Sequence, residues 1–211
     1  LGLTDVAGAV VRSWNERGFA GRVEYDELRR PTHQFVTPPA ASEMVVTRTV
    51  WGESVPSPAT TNHRGQPYRI YDGAGELTHV AYDFKGNLLS QQRRITVAFE
   101  TTQDWSLLDA AAPPTPANIA TLADSELDAE VFTTAFEYDA LNRVTSSTTP
   151  DDSETLSTYN EAGLLETVAV RIRGAGTPTT FVSDLDYDAK GQRLRCVHGN
   201  GAVTSYEYDP R

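Results

Sequence analysis

The chain has 211 residues, 18 of them Lys or Arg and 29 Asp or Glu, for a formal net charge of −11. So acidic a polypeptide lacks the counterion-release drive toward nucleic acid and the polybasic attraction to anionic lipid. No run approaches the roughly eighteen apolar residues of a membrane-spanning helix, and the single Cys196 excludes an intrachain disulfide and a cysteine-built zinc cage.

Taken in order, the start Leu1-Gly2-Leu3-Thr4-Asp5 has no Met, basic stretch or apolar stretch, so it is not a signal peptide. The chain begins and stops in mid-pattern and reads as one segment, 1–211, of a longer protein. Residues 1–61 hold degenerate repeats. Asp5-Val-Ala-Gly8 and Asn15-Glu-Arg-Gly18 keep an Asp/Asn-x-x-Gly frame, as does Asn62-His-Arg-Gly65 just beyond. Tyr25-Asp26 is the first Tyr-Asp pair and departs from the frame, with Arg29 at the third place and Pro31 soon after. Thr37 to Ser42 is a short Pro-rich loop.

Regular copies follow. Tyr71-Asp72 leads to Gly75, and Tyr82-Asp83 to Gly86. An insertion at 101–130 then breaks the pattern. Within it Thr115 is placed to cap a short helix through Ala117–Ala123, with Pro116 in the first turn, and Ser125–Glu130 is helix-tolerant. From 131 to 211 the repeats resume: Tyr138-Asp139 with Asn142, Tyr159-Asn160 with Gly163, Tyr187-Asp188 with Gly191, and Tyr208-Asp209 running toward Arg211. Tyr138 and Tyr159 are 21 residues apart, and so are Tyr187 and Tyr208.

Each residue type in the repeat has a physical task. The Asp or Asn closes an Asx-turn onto the backbone two residues on. The Gly or Asn three places later supplies a left-handed backbone. Apolar residues stand two before the tyrosine (Val23, Val80, Phe136, Leu185) and five after the Asp or Asn (Leu77, Leu88, Val144, Leu165). This period-two flank beside a turn signal predicts β-hairpins. A second turn, at Pro150-Asp151-Asp152 and Gly199-Asn200-Gly201, falls halfway through a cycle, so each cycle is two strands and two turns. The fold expected is all-β, with antiparallel hairpin repeats in an extended curved sheet and a short helical or loop insertion. Such hairpins bury a face only against their neighbours. The open edges of an isolated segment predict self-association.

These Tyr-Asp-x-x-Gly copies resemble the YD repeats of the Rhs family. The runs Asn62–Gly75, Tyr82–Leu89, Asp104-Trp105, Glu130–Thr134, Tyr138–Arg143 and Ala189–Arg193, with Tyr206-x-Tyr208, resemble the shell region of bacterial insecticidal toxin complexes, in the order of the early C component. That resemblance implies a non-enzymatic wall: a sheet spiralled into a hollow shell around a toxic C-terminal polypeptide, in a secreted bacterial protein. The implied partners are the rest of the shell, with a B component or equivalent region, and the enclosed toxin. No nucleic acid, membrane insertion or cofactor is implied. The family's self-cleaving aspartate site has no counterpart here. Cell-surface YD-repeat proteins offer the alternative of an adhesion or carbohydrate-binding module.

Other candidate chemistry is weak. Asp184-x-Asp186-x-Asp188 begins like a calcium loop but has Ala189 and Arg195 where an EF-hand needs Gly and Glu. Cys196 and His198 share a strand face, yet nothing activates the thiol, and Cys196 reads as a small buried hydrophobe. His33, His63 and His79 lack ligand spacing and read as surface or rim residues. No nucleophile elbow, Walker loop or dinucleotide fingerprint occurs.

Overall fold

A computed structural model describes residues 1–209, so Pro210 and Arg211, with the end of the 1–211 span, lie outside the described residues. The chain divides into two units, Leu1–Phe132 and Thr133–Arg211.

The first unit is an antiparallel meander. Its strands are β1 (Gly2–Thr4), β2 (Val10–Trp14), β3 (Ala20–Tyr25), β4 (Pro31–Thr37), β5 (Met44–Trp51), β6 (Pro67–Asp72), β7 (Gly75–Tyr82) and β8 (Leu88–Ile95). Each pairs with the next in sequence. Such a sheet needs cover on at least one face, and the segment after β8 supplies it. A 3-10 turn spans Trp105–Ala110 and one α-helix, α1, spans Pro116–Ala123. The helix starts where the sequence places it. Thr115 Oγ1 accepts the Asn118 N–H at 3.2 Å, and Pro116 takes the first position, where its missing donor costs nothing. Ile119 and Ala123, four apart on one face, turn inward. The Ser125–Glu130 stretch departs from the helix-tolerant reading. Only Asp124–Glu126 turns, after which Leu127 is extended and bridges Thr96. Leu127 is buried, so packing overrides local preference.

Trp105, Leu108, Ile119, Ala123 and Leu127 cover Phe35, Val45, Val50 and Tyr71, and together they form the hydrophobic core. Trp105 and Tyr71 are both fully buried, with ring centroids 5.2 Å apart and tilted by 50°. The indole Nε1–H donates to the Asp72 carbonyl at 2.8 Å, giving the buried indole its partner.

The second unit is also a meander, built from β9 (Phe132–Tyr138), β10 (Val144–Thr148), β11 (Glu154–Tyr159), β12 (Leu165–Arg171), β13 (Thr179–Tyr187), β14 (Arg193–His198) and β15 (Val203–Ser205). Each again pairs antiparallel with the next. No helical cover lies on it among the described residues. Leu185 and Cys196 are its buried apolar side chains, opposite each other across β13 and β14. Cross-strand pairs such as Val168 with Val182 and Thr158 with Thr167 carry the rest, as in a single-layer sheet.

The Tyr-Asp turns as candidate functional site

Strand direction alternates, so within each unit the hairpin turns fall at two ends. In the first unit, the turns opened by Asp5, Asp26 and Asp83 lie at the same end. In the second, those opened by Asp139, Asn160 and Asp188 do. All six share one hydrogen-bond pattern. The Asp or Asn carbonyl accepts the N–H three residues on, and its own N–H donates to the carbonyl four on. At Asp83 these distances are 3.1 and 2.9 Å. The side-chain Oδ1 accepts one or both of the N–H groups two and four residues on; at Asp83 both are present, at 2.8 and 2.9 Å. The third residue is left-handed: Gly8, Gly86, Gly163 and Gly191 have φ between 77° and 88°, and Asn142 has 65°. The register shift beside the tyrosine, as between Thr158 and Tyr159, marks a β-bulge.

Asp26 uses the same turn despite its sequence. Arg29 takes φ 62°, and its N–H donates to the Asp26 carbonyl at 2.9 Å. The Arg29 guanidinium also pairs with Asp5, the carboxylate of the preceding copy. The same backbone turn recurs at the opposite end of the strands, at Asn15, Thr149 and His198. The turn therefore does not distinguish the Tyr-Asp end; the tyrosine does.

That tyrosine reaches sideways. Tyr25 Oη donates to Val10 O at 2.7 Å, and Tyr82 to Pro67 O at 2.8 Å. Tyr159 donates to Val144 O at 2.8 Å, Tyr187 to Leu165 O at 2.8 Å, and Tyr208 to Arg193 O at 2.9 Å. Every acceptor stands five residues after the Asp or Asn of the preceding copy. In these five copies the hydroxyl thus pegs a hairpin to the one before it, in addition to the sheet ladder. Trp51 does the same work unrecognised in the sequence: its Nε1–H donates to Pro31 O at 3.1 Å, and Pro31 stands five residues after Asp26.

Two expected copies depart from this geometry. Tyr71-Asp72-Gly75 lies at the opposite end of the strands, where Asp72 pairs directly with Gly75 in a two-residue hairpin. Tyr71 is buried beneath Trp105 instead of pegging a carbonyl. Gly75 is required by close approach: a Cβ there would meet Arg94 O at 2.2 Å. Asn62 to Gly65 is not a five-residue turn either. Asn62 itself is left-handed at 55°, and the local bond runs from Gln66 N to His63 O. The loop Gly52–Gln66 docks through Asn62 Nδ2 to Tyr82 O at 2.8 Å.

A further regularity was not read from the sequence. Where the turn opens with Asp, the residue four on tends to return a donor to the free Oδ2. Arg30 does so at 2.8 Å, Asn87 at 2.8 Å and Arg143 at 2.7 Å. Where it opens with Asn, that place is apolar, Phe19 or Leu164. A carboxylate has a second oxygen to satisfy, whereas an amide has none; at Asp5, where the residue four on is Ala9, Arg29 meets that oxygen instead. The Arg143 guanidinium and backbone N–H groups hold the Asp139 carboxyl below its ordinary range, against a weaker opposing effect of burial.

The remaining candidates converge on nothing. Asp184 and Asp186 are both bound by Arg195, at 2.9 and 3.2 Å. Among the described residues no group of three His, Cys, Asp or Glu is placed to hold a metal, and no helix is long and apolar enough to cross a membrane. Cys196 is buried, and His198 turns to Thr204 Oγ1 at 3.0 Å. The histidines correct a rim assignment. His63 is 1% exposed, held between Thr61 Oγ1 at 2.6 Å and the His79 carbonyl at 2.8 Å, and edge-on to Tyr68 and Tyr82. His33 and His79 are half-buried, and burial lowers the pKa of each.

Known proteins resemble this chain. The RHS Repeat family model matches residues 138–178. Toxin subunit YenC2 of Yersinia entomophaga is 28% identical over 163 residues, 76% of this chain and 16% of the subunit. Toxin subunit YenC1 of the same organism is 26% identical over 210 residues, 98% of the chain and 20% of the subunit. The chain thus spans a fifth or less of the curated relatives it matches. Among solved structures, that of TcdB2-TccC3 without its hypervariable C-terminal region superposes over 100% of this chain and 9% of that one, with TM-score 0.81 and 24% identity. The TcdB2-TccC3-Cdc42 structure gives 0.82 at 24% identity. The repeated turn, the pegs and these likenesses make the chain similar to RHS-repeat proteins, among them the Yersinia entomophaga toxin subunits, with the family model itself matching residues 138–178.

Proposed function

We propose that this chain is a non-enzymatic wall segment of an Rhs shell that encloses a C-terminal toxin, within a bacterial toxin complex that acts outside the cell. Its partners are the neighbouring repeats of that shell, a B component or equivalent region, and the enclosed polypeptide. One observation carries the reading: five tyrosines and one tryptophan bond a repeat laterally to its predecessor through a side-chain peg. Such an arrangement propagates in one direction and gathers no reactive groups. The aspartates at the turns are spent on backbone N–H groups and arginines, so they serve architecture. The division into 1–61, the 101–130 insertion and 131–211 stands as part of this proposal, with the insertion as a sealing plate on one face.

The test is to express the whole gene that carries this segment and image the particles. A hollow particle with these repeats in its wall, and a C-terminal part that resists protease until the wall is denatured, is the expected result. A solid or filamentous particle whose C-terminal part is digested at once would refute it. Glycan-array binding by such a particle would favour the adhesion alternative.

A further inference from the structure

We propose that Asn200 is a site of spontaneous backbone modification, converting to aspartate and isoaspartate at the turn between β14 and β15. The inference is independent of the shell reading. Of the chain's asparagines only Asn200 precedes a glycine, so only there does the following amide nitrogen approach without a side chain in the way. Asn200 is exposed, and Gly201 holds φ 84°. The Asn200 Oδ1 accepts the Ala202 N–H at 3.0 Å. That bond does two things. It folds the side-chain amide over the Gly201 nitrogen, and it polarises the Cγ carbonyl as a fixed backbone donor polarises any carbonyl under attack. Among the described residues the Nδ2 group of this exposed side chain has no hydrogen-bond partner, which leaves it to depart into solvent.

The chemistry balances with water alone. The Gly201 nitrogen loses its proton to solvent base and bonds to Asn200 Cγ, and ammonia leaves. Water then opens the five-membered imide at either carbonyl. One opening yields Asp, the other an isoaspartyl link with an extra backbone methylene. One contact opposes the first step: the Gly201 N–H donates to His198 O at 2.9 Å. The neighbouring strand makes that bond easy to open. β15 is three residues long and exposed throughout, and so short an exposed element opens locally at low cost. The product places a new negative charge in the turn, and its isoaspartyl form lengthens the turn by one atom.

The chain is incubated in warm, mildly alkaline buffer and digested with trypsin. The peptide running from Cys196 to the chain end should gain one mass unit and become a substrate for isoaspartyl methyltransferase, and Asn200→Gln should abolish both signals. Peptides carrying Asn142 and Asn160, from related turns, should stay unchanged while half of Asn200 converts. Native-state hydrogen exchange should show Gly201 N–H opening faster than Gly163 N–H. Conversion at Asn200 no faster than at Asn142 or Asn160, or a Gly201 amide as protected as that of Gly163, would overturn the proposal.

Discussion

Replacing Tyr159 by Phe isolates the peg from everything else the tyrosine does. The ring stays, and with it the Arg143 guanidinium stacked 4.4 Å above its centroid. Only the 2.8 Å bond to the Val144 carbonyl is lost. A neutral hydrogen bond of this kind contributes a net ~1 kcal/mol. With a urea slope near ~2 kcal/mol/M, the transition midpoint should fall by about 0.5 M. Tyr159→Leu removes the stacked cation contact as well, worth ~0.5–1 kcal/mol more, and should fall further. Hydrogen exchange resolved by residue then locates the effect: β10 and β11 amides should lose protection before those of β14. An unchanged midpoint in Tyr159→Phe, or equal effects of the Phe and Leu variants, would refute the peg as a source of cohesion between repeats.

Three further outcomes follow from the same geometry. Trp105→Ala empties a fully buried site beneath the insertion and should cost ~3–5 kcal/mol in denaturant unfolding of the first unit, with a smaller loss for Trp105→Phe, which keeps most of the area but drops the bond to Asp72. Gly75→Ala should be far worse than Gly8→Ala. A Cβ at Gly75 meets three backbone atoms within 3.1 Å, whereas one at Gly8 meets nothing within 4 Å, leaving only the ~1–2 kcal/mol left-handed penalty. Circular dichroism and thermal melting compare the two. Finally, the Asp139 carboxyl is held below its ordinary range in the folded state. Its contribution to stability is therefore complete above the unfolded value of about 3.9 and disappears as pH falls through the lower folded one. Asp139→Asn keeps the Oδ1 acceptor, as the Asn160 turn shows, so it should fold at neutral pH while flattening the acid limb of a pH–stability curve.

How far the sequence discloses this structure depends on whether a residue's task is local. The left-handed positions at Gly86, Asn142, Gly163 and Gly191 are legible because few residue types tolerate that backbone. The helix cap at Thr115 is legible for the same reason. Arg29 is not, since an arginine at φ 62° is held by its bonds to Asp26 O and the Asp5 carboxylate, which no string records. Trp51 is hidden because ten residues separate it from Asn62, and because an indole does a phenol's work. Tyr71-Asp72 misleads in the other direction. Its letters match the motif, but the β6–β7 hairpin closes one residue earlier, at Gly75, and the tyrosine turns down into the core. His63 shows the limit most plainly, since its burial follows from a loop folding back onto β7.

The Trp51 peg has an evolutionary consequence. Its donor group stays in place while the chain wanders from Gly52 to Thr61 before rejoining the course at Asn62, so the mortar between neighbouring rows is laid before the detour begins. A lineage can therefore lengthen or decorate the exposed middle of that excursion while Gly52, Glu53 and Thr61 stay tied to Gln66, Arg30 and Tyr82, which makes the gap behind the Trp51 peg a place for such proteins to diversify their rim.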